Sequence, residues 1–144
     1  MLECVVNVSE GRVTSLVERF GSAAGEALLD VHLDADHHRS VFTLAGPDEL
    51  VESAARALAT AVVEHVDLRT HQGAHPRIGA LDVVPWVNLR GWPVEDGPLG
   101  PAVAARDRFA AWAGRELGLP CFLYGPERRT LVELRRGAWS TIRP

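Results

Sequence analysis

The chain contains no lysine. All 15 basic side chains are arginine, set against 19 Asp and Glu for a formal net charge of −4. A protein that grips nucleic acid through its phosphates is ordinarily basic, so this balance argues against that class. The abundance of Ala, Gly and Val points to biased codon usage as one source of the arginine excess. Arginine also binds carboxylates bidentately, which lysine cannot do. Cysteine is scarce too: Cys4 and Cys121 lie far apart in apolar segments and lack metal-ligand spacing. They are expected to be free thiols in a reducing compartment. No apolar run reaches membrane-spanning length, and the N-terminus lacks a charged region followed by an apolar core and cleavage site. A cytoplasmic protein with no membrane contact is the expectation. GxGxxG, Walker and GxSxG motifs are all missing, as are internal repeats, heptads and low-complexity linkers.

What is present describes one ordinary globular domain. A length of 144 residues with 47% hydrophobic and 24% charged side chains can bury a working core without disulfides or metal. Residues 2–8 read as a β-strand ending in Ser-Glu-Gly. From 13 to 27, Val13, Leu16, Val17, Phe20 and Ala24 recur at helical spacing. Residues 28–33 and 40–46 read as strands joined by the polar loop 34–39. Gly46-Pro47-Asp48 opens a long helix, with Pro47 as the start signal and Asp48 and Glu49 at the positive end of its dipole. Its apolar stripe is Val51, Ala54, Ala55, Leu58, Ala61, Val62 and His65 or Val66.

Residues 80–89 read as a strand that Pro85 confines to an edge, a bulge or a break. Residues 91–101 form a connector and 102–117 a second long helix, stopped by Gly118 and Pro120. Residues 121–124 are expected as a final strand and 129–136 as a short terminal helix. The order β-α-β-β-α-β, with an extra C-terminal helix and strand, predicts a single α+β domain of ferredoxin-like sandwich type, its helices on one face of a mainly antiparallel sheet.

Polar clusters interrupt this pattern. Asn7, Glu10, Gly11 and Arg12 follow the first strand; they suit a turn and helix start, or an anion site at that helix start. Asp34, Asp36, His37, His38 and Arg39 form a charged loop. Adjacent histidines on an extended segment point to opposite sides, so a solvated loop is a simpler reading than a metal site. Arg39 leads straight into a strand and could reach a substrate carboxylate.

Residues 71–86, HQGAHPRIGALDVVPW, stand out most. Packing alone has little use for His71, His75 and Arg77 around Gly73 and Pro76. The i, i+4 histidine spacing would suit a zinc helix, but Gly73 and Pro76 oppose helix and no Glu follows His71, so no metal is expected. His75 is either a loop histidine bonded to backbone or a general base, for which an unperturbed pKa of about 6.5 is well matched. Arg77 and Asp82 could be an ion pair bracing the loop. His32 and His65 lie on element faces and read as structural.

Taken together, CVVNVSEGR, LLDVHLDADHHRSVFTLAGPDE, HQGAHPRIGALDVVPW and LPCFLYG resemble, in order and over nearly the whole chain, the signatures of the N-terminal subdomain of glutamate formimidoyltransferases. The resemblance implies transfer of a formimidoyl group from N-formimidoyl-glutamate to tetrahydrofolate as co-substrate, a step in histidine breakdown. It maps the family's catalytic histidine onto His75, in Gly73-Ala74-His75-Pro76-Arg77. His75 would then carry a proton from the attacking folate nitrogen to the leaving amine. Arg39 and Arg77 would suit the glutamate carboxylates, and Asp36 or Asp82 the developing amidine charge, with Asn7 and His71 beside them. The chain departs from the family pattern at His32, at His38, where the family has Asn, and at Ala74, where it has Glu.

The family's transferase also has a second subdomain, so the resemblance implies a homodimer or a separately encoded C-terminal partner. Trp86, Trp92, Trp112 and Trp139 offer apolar area for such an interface or for the core. The alternative is a non-catalytic module or regulatory subunit that binds folate or an anion.

Overall fold

A computed structural model describes residues 1–89, 99–125 and 128–144. Its centre is β1 (Leu2–Val8), which pairs antiparallel with β3 (Arg39–Gly46) from Leu2↔Gly46 to Val8↔Ser40. On its far side β3 carries β2 (Leu28–Asp34), an outer strand. On the other side, β1 takes β4 (Leu81–Val83) along its C-terminal end and β5 (Trp86–Asn88) along its N-terminal end. The strand order is β2-β3-β1-β4, with every strand pairing antiparallel. The chain is therefore α+β.

Alternation in β1 and β3 decides which face is covered. Leu2, Cys4, Val6 and Val8, with Phe42 and Leu44 beside them, are fully buried on one face. Against that face lie α1 (Thr14–Ala24), α2 (Asp48–His65) and α3 (Gly100–Glu116). Helix α1 inserts Val17 and Phe20, α2 inserts Val51, Leu58 and Val62, and α3 inserts Ala105, Phe109 and Ala113 into one continuous core. Phe20 meets Phe42 edge-on at 6.4 Å, an arrangement that aromatic quadrupoles favour. The opposite face, with Val5, Val41, Thr43 and Ala45, is only half-buried. No helix among the described residues is long and apolar enough to cross a membrane.

Several sequence expectations shift. The helix expected over 13–27 stops at Ala24, and residues Gly25–Ala27 close in a 3-10 turn. Gly25 takes φ 61°, a left-handed conformation that ends the α-helix at little cost only for glycine. The strand expected over 80–89 divides at Val84-Pro85, because proline has no N–H for the ladder; the Pro85 carbonyl still accepts from Val5 N at 3.3 Å.

Residues 121–124 do not form the extra C-terminal strand. They are irregular apart from a Tyr124–Arg129 bridge, and Phe122 satisfies its apolar surface edge-on against Trp139 at 5.0 Å instead of joining the sheet. The terminal helix, α4, runs Leu131–Gly137. Thr130 and Glu133 open it with a reciprocal capping box. Within the connector expected over 91–101, residues 91–98, including Trp92, lie outside the described residues, while Gly100 and Pro101 already belong to α3.

Replacing Phe42 by Ala should cost about 3–5 kcal/mol, the usual range for emptying such a core position. The check is chemical denaturation, which should show a lower midpoint at nearly unchanged slope.

Candidate functional site

Three turns meet at one end of the sheet. The first follows β1. Ser9 is tied to the segment before β4, its amide donating to Ala80 O at 2.8 Å and its hydroxyl to Gly79 O at 2.9 Å. Glu10 is buried, and its Oε1 accepts from the amides of Arg12 at 2.8 Å and Val13 at 3.0 Å, satisfying donors that the start of α1 would leave orphaned. Gly11 lies flat against the β2–β3 turn, where a Cβ would overlap the backbone of Asp34 and Arg39. Arg12 adds a bond from Nε to Ala35 O at 2.8 Å.

The second turn joins β2 to β3. Asp34 accepts from the His37 amide at 2.8 Å and pairs with His37 Nδ1 at 2.7 Å. The next residue, His38, has φ 52°, which turns its ring inward instead of leaving it in solvent. The ring lies between Glu10 Oε1, 3.1 Å from Nε2, and the Gln72 carbonyl, 3.0 Å from Nδ1. It stacks on His71 at 3.9 Å and 7°.

The third turn, residues 66–80, has no regular structure, and side chains supply many of its hydrogen bonds. Arg77 donates to the carbonyls of His71 at 3.2 Å and of Gly73 and His75 at 2.8 Å each, and also to His71 Nδ1. Gly73 abuts the β2–β3 turn so closely that a Cβ would collide with the His37 carbonyl and the His38 side chain. The Ala74 amide then donates to Asp36 O at 3.1 Å.

This contact brings His75 to Arg39. Arg39 Nη1 lies 2.6 Å from His75 Nε2, while Nη2 donates to Asn7 Oδ1. Asn7 is itself oriented by Nδ2 donating to Val5 O at 2.9 Å. A guanidinium can only donate, so His75 Nε2 must be the acceptor, and the ring is neutral. Burial lowers the His75 pKa, the charges of Arg39 and Arg135 lower it further, and Asp82 opposes them; the net direction is down. Burial likewise lowers that of His71, helped by His38 and Arg77. A neutral imidazole is the form a general base requires, and here Arg39 holds its Nε2 lone pair.

Asp82 lies beneath the loop with a side chain 2% exposed. It accepts from Ile78 N at 2.6 Å and pairs with Arg135 at 3.2 Å, and Arg135 also donates to Pro76 O at 3.2 Å. The possible Arg77–Asp82 pair is thus replaced: Arg77 is drawn to nearer loop carbonyls, and α4 supplies the cation. Asn7, Arg39 and His75 converge, with His71 and Arg77 behind them, whereas the Asp36 side chain is exposed and this residue contributes its carbonyl.

Arg135 carries no sequence signal that could have found it. The inward ring of His38 was masked by treating its loop as extended. His65 is held on its own element as expected, bonded to Ala61 O at 2.8 Å and next to Arg19 at 2.6 Å. Among the described residues no group of three or more His, Cys, Asp or Glu is arranged to hold a metal ion. A cavity of about 510 Å³, lined by Trp86, Phe109, Phe122 and Trp139, reaches Ile78 and Asp82 beneath the loop but is not lined by Asn7, Arg39 or His75. Trp112 packs on the core beside Phe109.

Gly73→Ala should separate the His75 loop from the β2–β3 turn while sparing the core. Amide exchange should reveal this local opening: the Ala74 N–H is expected to exchange at least about ten-fold faster, with the β1 amides unchanged.

Residues 1–144 match the family described as the formiminotransferase domain, N-terminal subdomain. The chain is 40% identical to a glutamate formimidoyltransferase of Streptococcus pyogenes serotype M1, over 97% of this chain and 48% of that protein. It is 35% identical to the glutamate formimidoyltransferase of Thermoplasma acidophilum, over 94% and 46% respectively. Against the formimidoyltransferase-cyclodeaminase of Rattus norvegicus it is 32% identical, over 99% of this chain and 27% of that protein. The chain thus spans about half the length of these glutamate formimidoyltransferases. By the match over its full length and these identities, the chain belongs to the formiminotransferase N-terminal subdomain family.

Proposed function

We propose that this chain carries the proton-transfer half of a formimidoyl transfer from N-formimidoyl-glutamate to tetrahydrofolate, with His75 as the shuttle. The observation that supports it is the contact between Arg39 and a neutral His75, anchored through Asn7 to the central strand. In the reaction, the folate nitrogen attacks the amidine carbon and loses a proton. The bond from that carbon to the glutamate nitrogen then breaks, and the leaving amine gains a proton. His75 Nε2 takes the first proton and returns one to the amine.

Arg39 has two tasks in this scheme. In the free protein it keeps His75 neutral. A substrate carboxylate attracts the guanidinium more strongly than an imidazole lone pair does, because that bond is charge-assisted, and so frees Nε2 for chemistry. Arg77 is a second carboxylate ligand only if it releases a loop carbonyl. Asp82 acts on the amidine charge from beneath the loop, and Asp36 from the exposed rim. Tetrahydrofolate enters as co-substrate.

The strand order supports a ferredoxin-like topology, with the half-buried face of β1 and β3 leading to Asn7 and Arg39. That half-buried face leaves room for a second wall, supplied by another copy or by a C-terminal subdomain of the kind that the relatives' greater length includes. The free thiols of Cys4 and Cys121 suit a reducing cytoplasm. A binding module is the other reading: tetrahydrofolate bound without glutamate release, with any partner present, would establish it and overturn transfer.

His75→Ala should lower turnover by about 10²–10⁴-fold, the range for a positioned acid–base group, with circular dichroism and melting unchanged. Unchanged turnover would remove His75 from the mechanism. The pH profile follows from the sign of the shift. A base whose pKa is lowered is deprotonated above that value, so kcat/KM should rise with pH along a limb centred below about 6.5 and stay level through neutrality. Arg39→Gln removes one of the lowering charges and should move that limb upward, which a rate profile in overlapping buffers would measure.

A further inference from the structure

His38 has both ring nitrogens against oxygen atoms. Nδ1 faces the Gln72 carbonyl at 3.0 Å, and a carbonyl can only accept. Nε2 faces Glu10 Oε1 at 3.1 Å, and that same oxygen already accepts two backbone amides. Burial pushes the Glu10 carboxyl up, but the Val13 and Arg12 amides and the His38 ring together hold it below the usual carboxylate range. Glu10 is therefore ionised at neutral pH and cannot be the donor. Hydrogen on both His38 nitrogens is the one arrangement that satisfies both oxygens at once. Its stacking partner is constrained in the opposite sense: His71 Nδ1 receives a proton-bearing Arg77 Nη1, and its Nε2 donates to His38 O at 3.1 Å, so His71 is neutral.

We propose that Glu10 and His38 form a charged positioning pair, carboxylate and imidazolium, that clamps the β1–α1 turn to the His71–Arg77 loop and thereby sets where His75 stands. The inference deepens the transfer reading and rests on it for its consequence in catalysis. Glu10 belongs to the β1–α1 turn and His38 to the β2–β3 turn, and the second hydrogen of the imidazolium reaches the third turn through Gln72. Neutral His38 would leave either Glu10 or Gln72 facing a bare nitrogen, and one of the ties between the turns would be lost. The groups facing this ring are Glu10 from the β1–α1 turn, and His71 and Gln72 from the loop, with Arg77 behind His71. Asp34, His37 and Arg39 are the charged or titratable neighbours on its own segment.

The test is nitrogen-15 NMR of the full chain with labelled histidine. His38 is assigned by the loss of its signals in His38→Asn. At neutral pH the wild type should show both His38 nitrogens protonated, and Glu10→Gln should show one of them bare. The second readout is the His75 titration. Glu10→Gln and His38→Ala should each raise its midpoint toward about 6.5 as the loop leaves Arg39. His38→Asn tolerates the positive φ and restores one donor, so it should recover part of that shift. Where the transfer assay reports turnover, kcat should fall about ten- to a hundred-fold in Glu10→Gln and His38→Ala with a smaller change in KM, as expected for misplacement of a reacting group. A bare nitrogen on wild-type His38, or an unmoved His75 midpoint in both variants, overturns the pair. The spectra read the pair even in a chain that transfers nothing, so its failure and the failure of the transfer reading are separate results.

Discussion

The backbone of residues 66–80 has no ladder to satisfy it, and the arginine that follows His75 takes over that role. Arg77 gathers three carbonyls of its own loop and one imidazole nitrogen, turning an irregular segment into a rigid hook. Buried carbonyls need donors, and the fan of N–H groups on one planar guanidinium can serve several at once. His75 protrudes from this hook. With Arg77 fixed, the proton state of His71 is fixed as well, because one of its nitrogens must accept.

The hook would have no defined position without close backbone contact. Gly73 presses on the β2–β3 turn as Gly11 does from the other side, and at both places a Cβ would strike main chain. The turn between them is therefore gripped by two loops that are distant in sequence. Arg39 leaves this turn as the first residue of β3 and reaches both Asn7 on β1 and His75 on the hook. Helix α4 braces the hook from below through Arg135, which bonds both Asp82 and Pro76 O. A segment that looks like a C-terminal addition is in this way part of the site's support.

Much of this was readable in advance, for identifiable reasons. The strands and long helices follow from periods of two and 3.6, and the three-sided helix-covered core follows from Leu2, Cys4, Val6, Val8, Phe42 and Leu44 falling on one face. The break at Pro85 was written in the missing N–H. The strand expected at 121–124 failed because an apolar run states only that surface must be buried, and Trp139 buries it without a ladder. Asn7 was readable as a turn residue or an anion ligand, Arg39 as a possible carboxylate ligand and His75 as a loop histidine or a general base, and family resemblance singled out His75 among the histidines. His38 was read as part of a solvated loop and Glu10 as part of a turn and helix start, since positive φ at a histidine leaves no trace in residue order.

Chain chemistry alone thus settles most of the alternation of elements and the apolar faces of the strands and long helices, and it marks out the polar loop around His75, because these depend on residue type and local spacing. Which charges meet is a matter of distance in three dimensions. Arg77 turns to carbonyls of its own loop, whereas Asp82 meets Arg135 and His38 meets Glu10 because folding brings those partners within 3.2 Å across 53 and 28 positions, a nearness that no local pattern encodes.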